Sequence, residues 1–205
     1  MSEPEILHKI FVRYTSSDGS SPTEMHQSNS ELVHAFPIAL RDDATLALSA
    51  FPENPLPSGT FSARVADQTV VLPYRIYHNP TLIATVPLSS LQKELVDCLL
   101  TRHHDGLVRE EHWTRIISHN HLWIPPFVLQ LVGEYVIEIL HVIRQNLHLL
   151  DTSIYREFLG KNPEFLAMTK QRVDSYWDCY YRNARKEEYV GFQLVNFLQT
   201  LVGKS

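Results

Sequence analysis

Side chains able to bind a metal or move a proton gather in one part of this chain. His103, His104, His112, His119 and His121 lie close together in sequence, with Asp105, Glu110 and Glu111 between them. A metal site needs three or four nitrogen or oxygen ligands converging within about 2 Å of one ion, and imidazole with carboxylate suits a divalent transition metal. His104, Asp105, His112 and His121 are the ligands this stretch offers, provided the chain folds them together. The same residues also suit a polar turn between two helices, where histidine near a helix C-terminus meets the dipole favourably. A second constellation is Glu138-x-x-His141 with Glu134 one turn earlier, a polar stripe of ligand-type side chains on one helix face. It serves equally as a solvated face or a buried hydrogen-bonded network.

Three family resemblances attach to these residues. His104-Asp105, preceded by the apolar Leu99-Leu100-Thr101-Arg102-His103, resembles the paired His-Asp of HD-type metal phosphohydrolases. That resemblance implies a divalent metal and phosphoester hydrolysis, with His78 and Asp151 or Asp174 as the further ligands by chain order. Gly106 and Leu107 depart from its downstream pattern. Glu138-x-x-His141 is similar to the ligand spacing of carboxylate-bridged dimetal proteins, which want a second copy on a facing helix. The copies at Glu5/His8 and Glu31/His34 fall in the wrong region. Leu95–Leu100 followed by Asp105-Gly106-Leu107-Val108-Arg109-Glu110 resembles one unit of a HEAT-type repeat. From that comparison, Arg109 is expected to pair with Asp105 or Asp97 and tie two helices together.

Other chemistries find little footing. There is no Gly-x-Ser-x-Gly elbow, Gly-rich phosphate loop or dinucleotide fingerprint. Cys98 and Cys179 stand apart in apolar or aromatic surroundings, which suggests no disulfide framework and no activated thiolate. The net charge of -5 arises entirely in residues 1–100, with 6 Lys/Arg against 11 Asp/Glu, while residues 101–205 balance at 12 and 12. Without a basic excess in either half, nucleic-acid binding is not expected. The start, MSEPEILHKI, has neither a basic opening nor a long apolar run, so a cytoplasmic or nuclear protein is expected. The longest apolar stretch carries Glu134 and Glu138 near its centre, which argues against insertion into lipid.

The elements that must position these groups read as an α+β chain. Residues 1–87 suggest a small N-terminal antiparallel β region with a mobile polar loop at 15–31. Strands are predicted at 7–14, 44–51 and 81–86. The clearest β signal is a hairpin, Phe61–Val65 and Thr69–Tyr77, which Pro73 interrupts. Residues 88–205 suggest five or six helices with short connections. Ser89 and Gln92 form a capping box for a helix over 90–103. A second helix is expected over 107–118. Helix 126–148 is then the spine, opened by Pro125-Pro126 and apolar around about two-thirds of its circumference. Later helices are expected after Asp151, after Asn162-Pro163 and over 187–202. Tyr176, Trp177 and Tyr180 read as core, leaving Tyr181 and Tyr189 as anchors on an interaction surface. The reading that asks least of the residues is a non-catalytic protein–protein interaction or scaffold module, able to self-associate or join a larger complex, with no cofactor. The alternative is a metal-dependent (phospho)hydrolase using the histidines and acids of 103–121.

Overall fold

A computed structural model describes residues 29–52, 58–80, 83 and 86–203. Among them run nine α-helices and one two-stranded antiparallel sheet, with the sheet lying mid-chain. The expected N-terminal β region followed by five or six helices is therefore corrected on both counts. Helices α1 (Asn29–Leu32) and α2 (Arg41–Leu48) precede the sheet. Residues 44–51 are thus largely helical, not a strand. Ala44, Ala47 and Leu48 are buried on one side of α2, whereas Leu46 is 56% exposed. That three- and four-residue spacing is a helical periodicity, which strand-like alternation over eight residues had mimicked. The expected strand at 7–14, nearly all of the 15–31 loop and most of 81–86 lie outside the described residues. The last residues of that loop, Asn29 to Glu31, open α1.

The hairpin forms where expected. β1 (Thr60–Val65) pairs with β2 (Gln68–Pro73) in the register Val65↔Gln68 to Thr60↔Pro73. Phe61, Ala63 and Val65 point inward and alternate with exposed neighbours. Pro73 ends β2, having no N–H for the ladder. Ala66 makes the turn with φ 52°, in the left-handed region that costs an L-residue roughly 1–2 kcal/mol.

Beyond the sheet come α3 (Ser90–Leu100), with the reciprocal Ser89–Gln92 capping box in place, and α4 (Gly106–Ile116), capped by Asp105. These two pack side by side, with Leu95, Leu99, Trp113 and Ile116 at 1% exposure or less. Residues just after β2 run along the end of α3: Ile76 donates to the Arg102 carbonyl, and His104 donates to that of Ile76.

The spine is not one helix. It divides into α5 (Pro125–Gln130), a 3-10 turn over Leu131–Gly133, and α6 (Ile137–Gln145). Between them Glu134 is extended, at φ −93° and ψ 157°. Two features of the tertiary packing produce the break. A Cβ on Gly133 would sit 3.0 Å from Arg172 Nε, so only glycine lets that guanidinium approach. Glu134, buried, turns its carboxylate onto Arg75 at 2.8 Å, Arg109 at 3.4 Å and Arg102 at 3.9 Å. Enclosure of the spine holds even though its continuity does not. Leu131 and Leu140 are fully buried, and Val136 packs on the core.

The chain closes with α7 (Thr152–Lys161), α8 (Pro163–Tyr176), a π-type turn over Trp177–Tyr181, and α9 (Val190–Val202). Pro163 opens α8 as expected, but Asn162 does not cap it with its side chain. The Asn162 amide instead accepts from Arg64 N at 2.7 Å and donates to Arg64 O at 2.8 Å, clamping β1 to the α7–α8 junction. No described helix is long and apolar enough to cross a membrane.

Two measurements follow from this packing. Ala66→Gly relieves the left-handed turn and is expected to raise stability by roughly 0.5–1 kcal/mol in urea titrations, net of the entropy that glycine adds to the unfolded chain. Glu134→Ala strands buried guanidiniums without a counter-charge and is expected to cost roughly 3–5 kcal/mol, the range for removing one partner of a buried ion pair.

Candidate functional site

His104, Asp105, His112 and His121 each have separate partners, and the structure does not bring the four together. His104 is exposed and stacks on Tyr77, ring centroids 5.3 Å apart. Asp105 accepts from Leu107 N at 2.8 Å as the α4 cap. His112 is buried against Asp97, with Nδ1 2.6 Å from Oδ1. His121 lies at the far end of α4, flat on the Trp123 indole with only 8° between ring planes. Arg109 gives Nη1 to the His103 and His104 carbonyls and Nη2 to Glu134, so the tie across the helices runs through those groups and not through Asp105. Asp97 pairs with His112 and Arg115.

The polar stripe is divided as well. Glu134 is buried among arginines, while Glu138 and His141 stay exposed on α6. Desolvation by burial would push the Glu134 carboxyl up, but Arg75, Arg109 and Arg102 together outweigh it and hold the group below the usual carboxylate range. The tyrosines exchange places. Tyr189 is 2% exposed and stacks on half-buried Tyr181, whose hydroxyl donates to the Tyr135 carbonyl, whereas Tyr180 is 46% exposed. The π-type turn shifts residues 177–181, Tyr180 and Tyr181 among them, off the phase that α8 would have carried on, whereas Tyr189 lies beyond it at the start of α9.

A different set does converge. Glu94 on α3 meets His119 and His121, which lie just beyond α4: Oε1 is 3.1 Å from His119 Nδ1, and Oε2 is 3.2 Å from His121 Nε2. One ligand atom from each of the three lies within 4.8 Å of the other two, and among the described residues this is the group with metal-binding geometry. The folding reasons are local. The Ser89 capping box fixes where α3 begins and hence where Glu94 points. Past Ile117, the His119 amide donates to the Ile116 carbonyl and Ile124 N to the His121 carbonyl, which curls 117–124 back over α3. Trp123, 8% exposed and packed edge-on against Phe36, holds the His121 ring by stacking. Glu94 keeps 18% of its side-chain surface exposed, so the site sits at the surface with carboxylate and imidazoles within reach of an ion.

His119 and His121 were visible in the sequence as members of the histidine run. Glu94 was not, since it lies well upstream. The available signal was its position on an amphipathic helix predicted to pair with the one that ends just before His119.

A cleft of about 350 Å³ that shares no lining residue with the Glu94–His119–His121 group is lined by Lys93, Asp97, His112 and Arg115 among others. Compared with known protein families, curated proteins and solved structures, the chain matches none. Its chemistry has to be read from its own geometry.

A separate histidine pair lies under β2. His78, 4% exposed, has Nε2 2.8 Å from Asn29 Oδ1 and packs edge-on against Phe51. His103 accepts from Asp105 N at Nδ1, so its Nε2 carries the hydrogen donated to the His78 carbonyl. Burial, and then the neighbouring His103, push the His78 pKa down to about 4. In the unfolded chain the same group titrates near 6.5. Between these values the unfolded state binds the extra proton, so the contribution is complete above about pH 6.5 and is lost as pH falls toward 4. His103 is lowered too, first by burial, and acts in the same sense. Unfolding free energy is expected to drop by roughly 2–3 kcal/mol between pH 7 and 4 on account of His78. Urea titrations of wild type and His78→Gln across that range check it, the variant giving the flatter profile.

Proposed function

We propose that this protein binds a divalent transition-metal ion through Glu94, His119 and His121 and uses it for hydrolysis, with phosphate esters as the substrate class. The observation that supports this reading is the convergence of one carboxylate and two imidazoles from separate segments onto one point. Two nitrogens and one oxygen suit Zn²⁺, Fe²⁺, Mn²⁺ or Co²⁺. Three protein ligands leave positions for water and substrate, the arrangement that separates catalytic from closed structural sites. A divalent ion held by Glu94, His119 and His121 would supply Lewis-acid activation of water at neutral pH.

Lys93, next to Glu94 in the chain, lines a cleft and favours an anionic substrate there, while Arg115 in the same lining is already paired with Asp97 and Glu111. Within it, Asp97 holds His112 through Nδ1, leaving Nε2 as the nitrogen for proton transfer to a leaving oxygen. The Glu94 carboxylate already bridges the two histidines, so an ion entering between them finds its ligands in place.

The test uses protein purified without a histidine tag and stripped with chelator. One equivalent of Co²⁺ or Zn²⁺ is expected to bind, with a visible d–d absorption for Co²⁺. At free metal about 100 times the dissociation constant, stabilisation of ~2.7 kcal/mol should raise the thermal midpoint by roughly 5–10 °C. Glu94→Gln and His121→Ala should each abolish both effects. Metal-loaded protein should then hydrolyse bis(p-nitrophenyl) phosphate, and His112→Ala should slow that hydrolysis while leaving metal stoichiometry intact. Equal metal content in wild type and His121→Ala would sink the site.

A further inference from the structure

A second cleft, of about 490 Å³, lies between the hairpin and the start of α8 and shares no lining residue with the Glu94–His119–His121 group. Its volume falls in the range of small-molecule sites, roughly 300–1,000 Å³. Its apolar lining includes the rings of Phe61, Tyr74 and Phe165, with Phe61 5.2 Å from Tyr74 and 6.0 Å from Phe165. Its charged lining is Arg64, Lys161 and Arg172 against Glu164, with Lys161 already paired to Glu157 at 3.0 Å outside the cleft.

Arg172 is the informative member. Its Nη2 donates to Gln130 Oε1 at 2.9 Å, and its Nε is sealed from water with no acceptor. Among the described residues no carboxylate comes within ion-pair distance of it, because Glu134 is taken by Arg75, Arg102 and Arg109. A half-buried guanidinium without a counter-ion is costly, and an anion in the cleft relieves that cost. A further feature points the same way: the Arg64 side chain makes no ion pair among the described residues, while the Asn162 clamp fixes its backbone at the cleft.

We propose that this cleft binds a phosphate monoester with a flat apolar body, the phosphate taken by Arg172 and Arg64 and the ring laid among Phe61, Tyr74 and Phe165. Arg172 and Arg64, the two cleft cations without an ion pair among the described residues, match a phosphate dianion, and guanidinium is the side chain whose geometry suits it. The aromatic walls account for the apolar part of the ligand.

The probe is phenyl phosphate, titrated calorimetrically into the full chain at low salt with chelator present, so that the Glu94 site is empty. Inorganic phosphate serves as the comparison. Phenyl phosphate is expected to bind at least tenfold more tightly than inorganic phosphate. Arg172→Gln should weaken it tenfold or more, and Arg64→Ala several-fold. Glu94→Gln should leave it unchanged, which separates this cleft from the proposed metal site. Arg64 is exposed, so its variant decides the question if Arg172→Gln does not fold. No binding at millimolar phenyl phosphate, equal affinity for inorganic phosphate, or equal affinity in wild type and Arg64→Ala would each overturn the proposal.

Discussion

A single carboxylate, that of Glu134, is shared by three guanidiniums, two of which the packing of this chain removes from water. Arg102 is fully buried and spends its remaining donors on the carbonyls of Pro73, Thr101 and Tyr74. Arg109 spends its own on the loop between α3 and α4, and Arg75 reaches in from the end of the hairpin. The sheet, the α3–α4 pair and the α5–α6 spine are therefore joined at one charged point. This constraint outranks local helix propensity. Forming the point requires Glu134 to leave helical geometry, and the spine gives up its continuity there. A buried charge left unpaired costs several kcal/mol, more than the few hydrogen bonds interrupted at a helix break.

The metal-binding geometry depends on that joint only indirectly. Glu94 and the two histidines belong to the α3–α4 layer and the return loop, held by a capping box, backbone turns and the stacking of His121 on Trp123. The Arg172 cleft depends on it directly. Because Glu134 faces the other three arginines, Arg172 has no acid of its own, and its charge is turned toward the space beside the hairpin. One allocation of charge in the interior thus sets the electrostatics of a surface cleft.

Local rules read well wherever the signal was local. The Ser89–Gln92 capping box and Pro163 at the first position of α8 are each specified within four residues, and each is present. The hairpin over 60–73 was legible for the same reason. Reading failed where a distant residue decided the outcome. Gly133 and Glu134 carry no helix-breaking signal strong enough to forecast a break, since its causes, Arg172 and the three arginines, lie elsewhere in the chain. The apolar spacing of residues 44–51 fitted both periods over so short a run, and packing against α3 selected the helix. Tyr181 falls in one turn of π geometry that no local pattern announced, and Tyr189, farther along the chain, stacks on it.

The sequence by itself determined the helix starts after Ser89, Asp151 and Asn162, the hairpin, and the presence of metal-ligating side chains around residues 103–121, because these rest on backbone chemistry and composition. Only the tertiary structure decided which of those side chains meet. His104, Asp105 and His112 find other partners, while His119 and His121 are joined by Glu94, an acid from the preceding helix. The physical reason is that a ligand set is a statement about convergence in space. Side-chain directions on two packed helices follow from how the helices are paired and phased, and neither quantity is written in the spacing of residues along one segment.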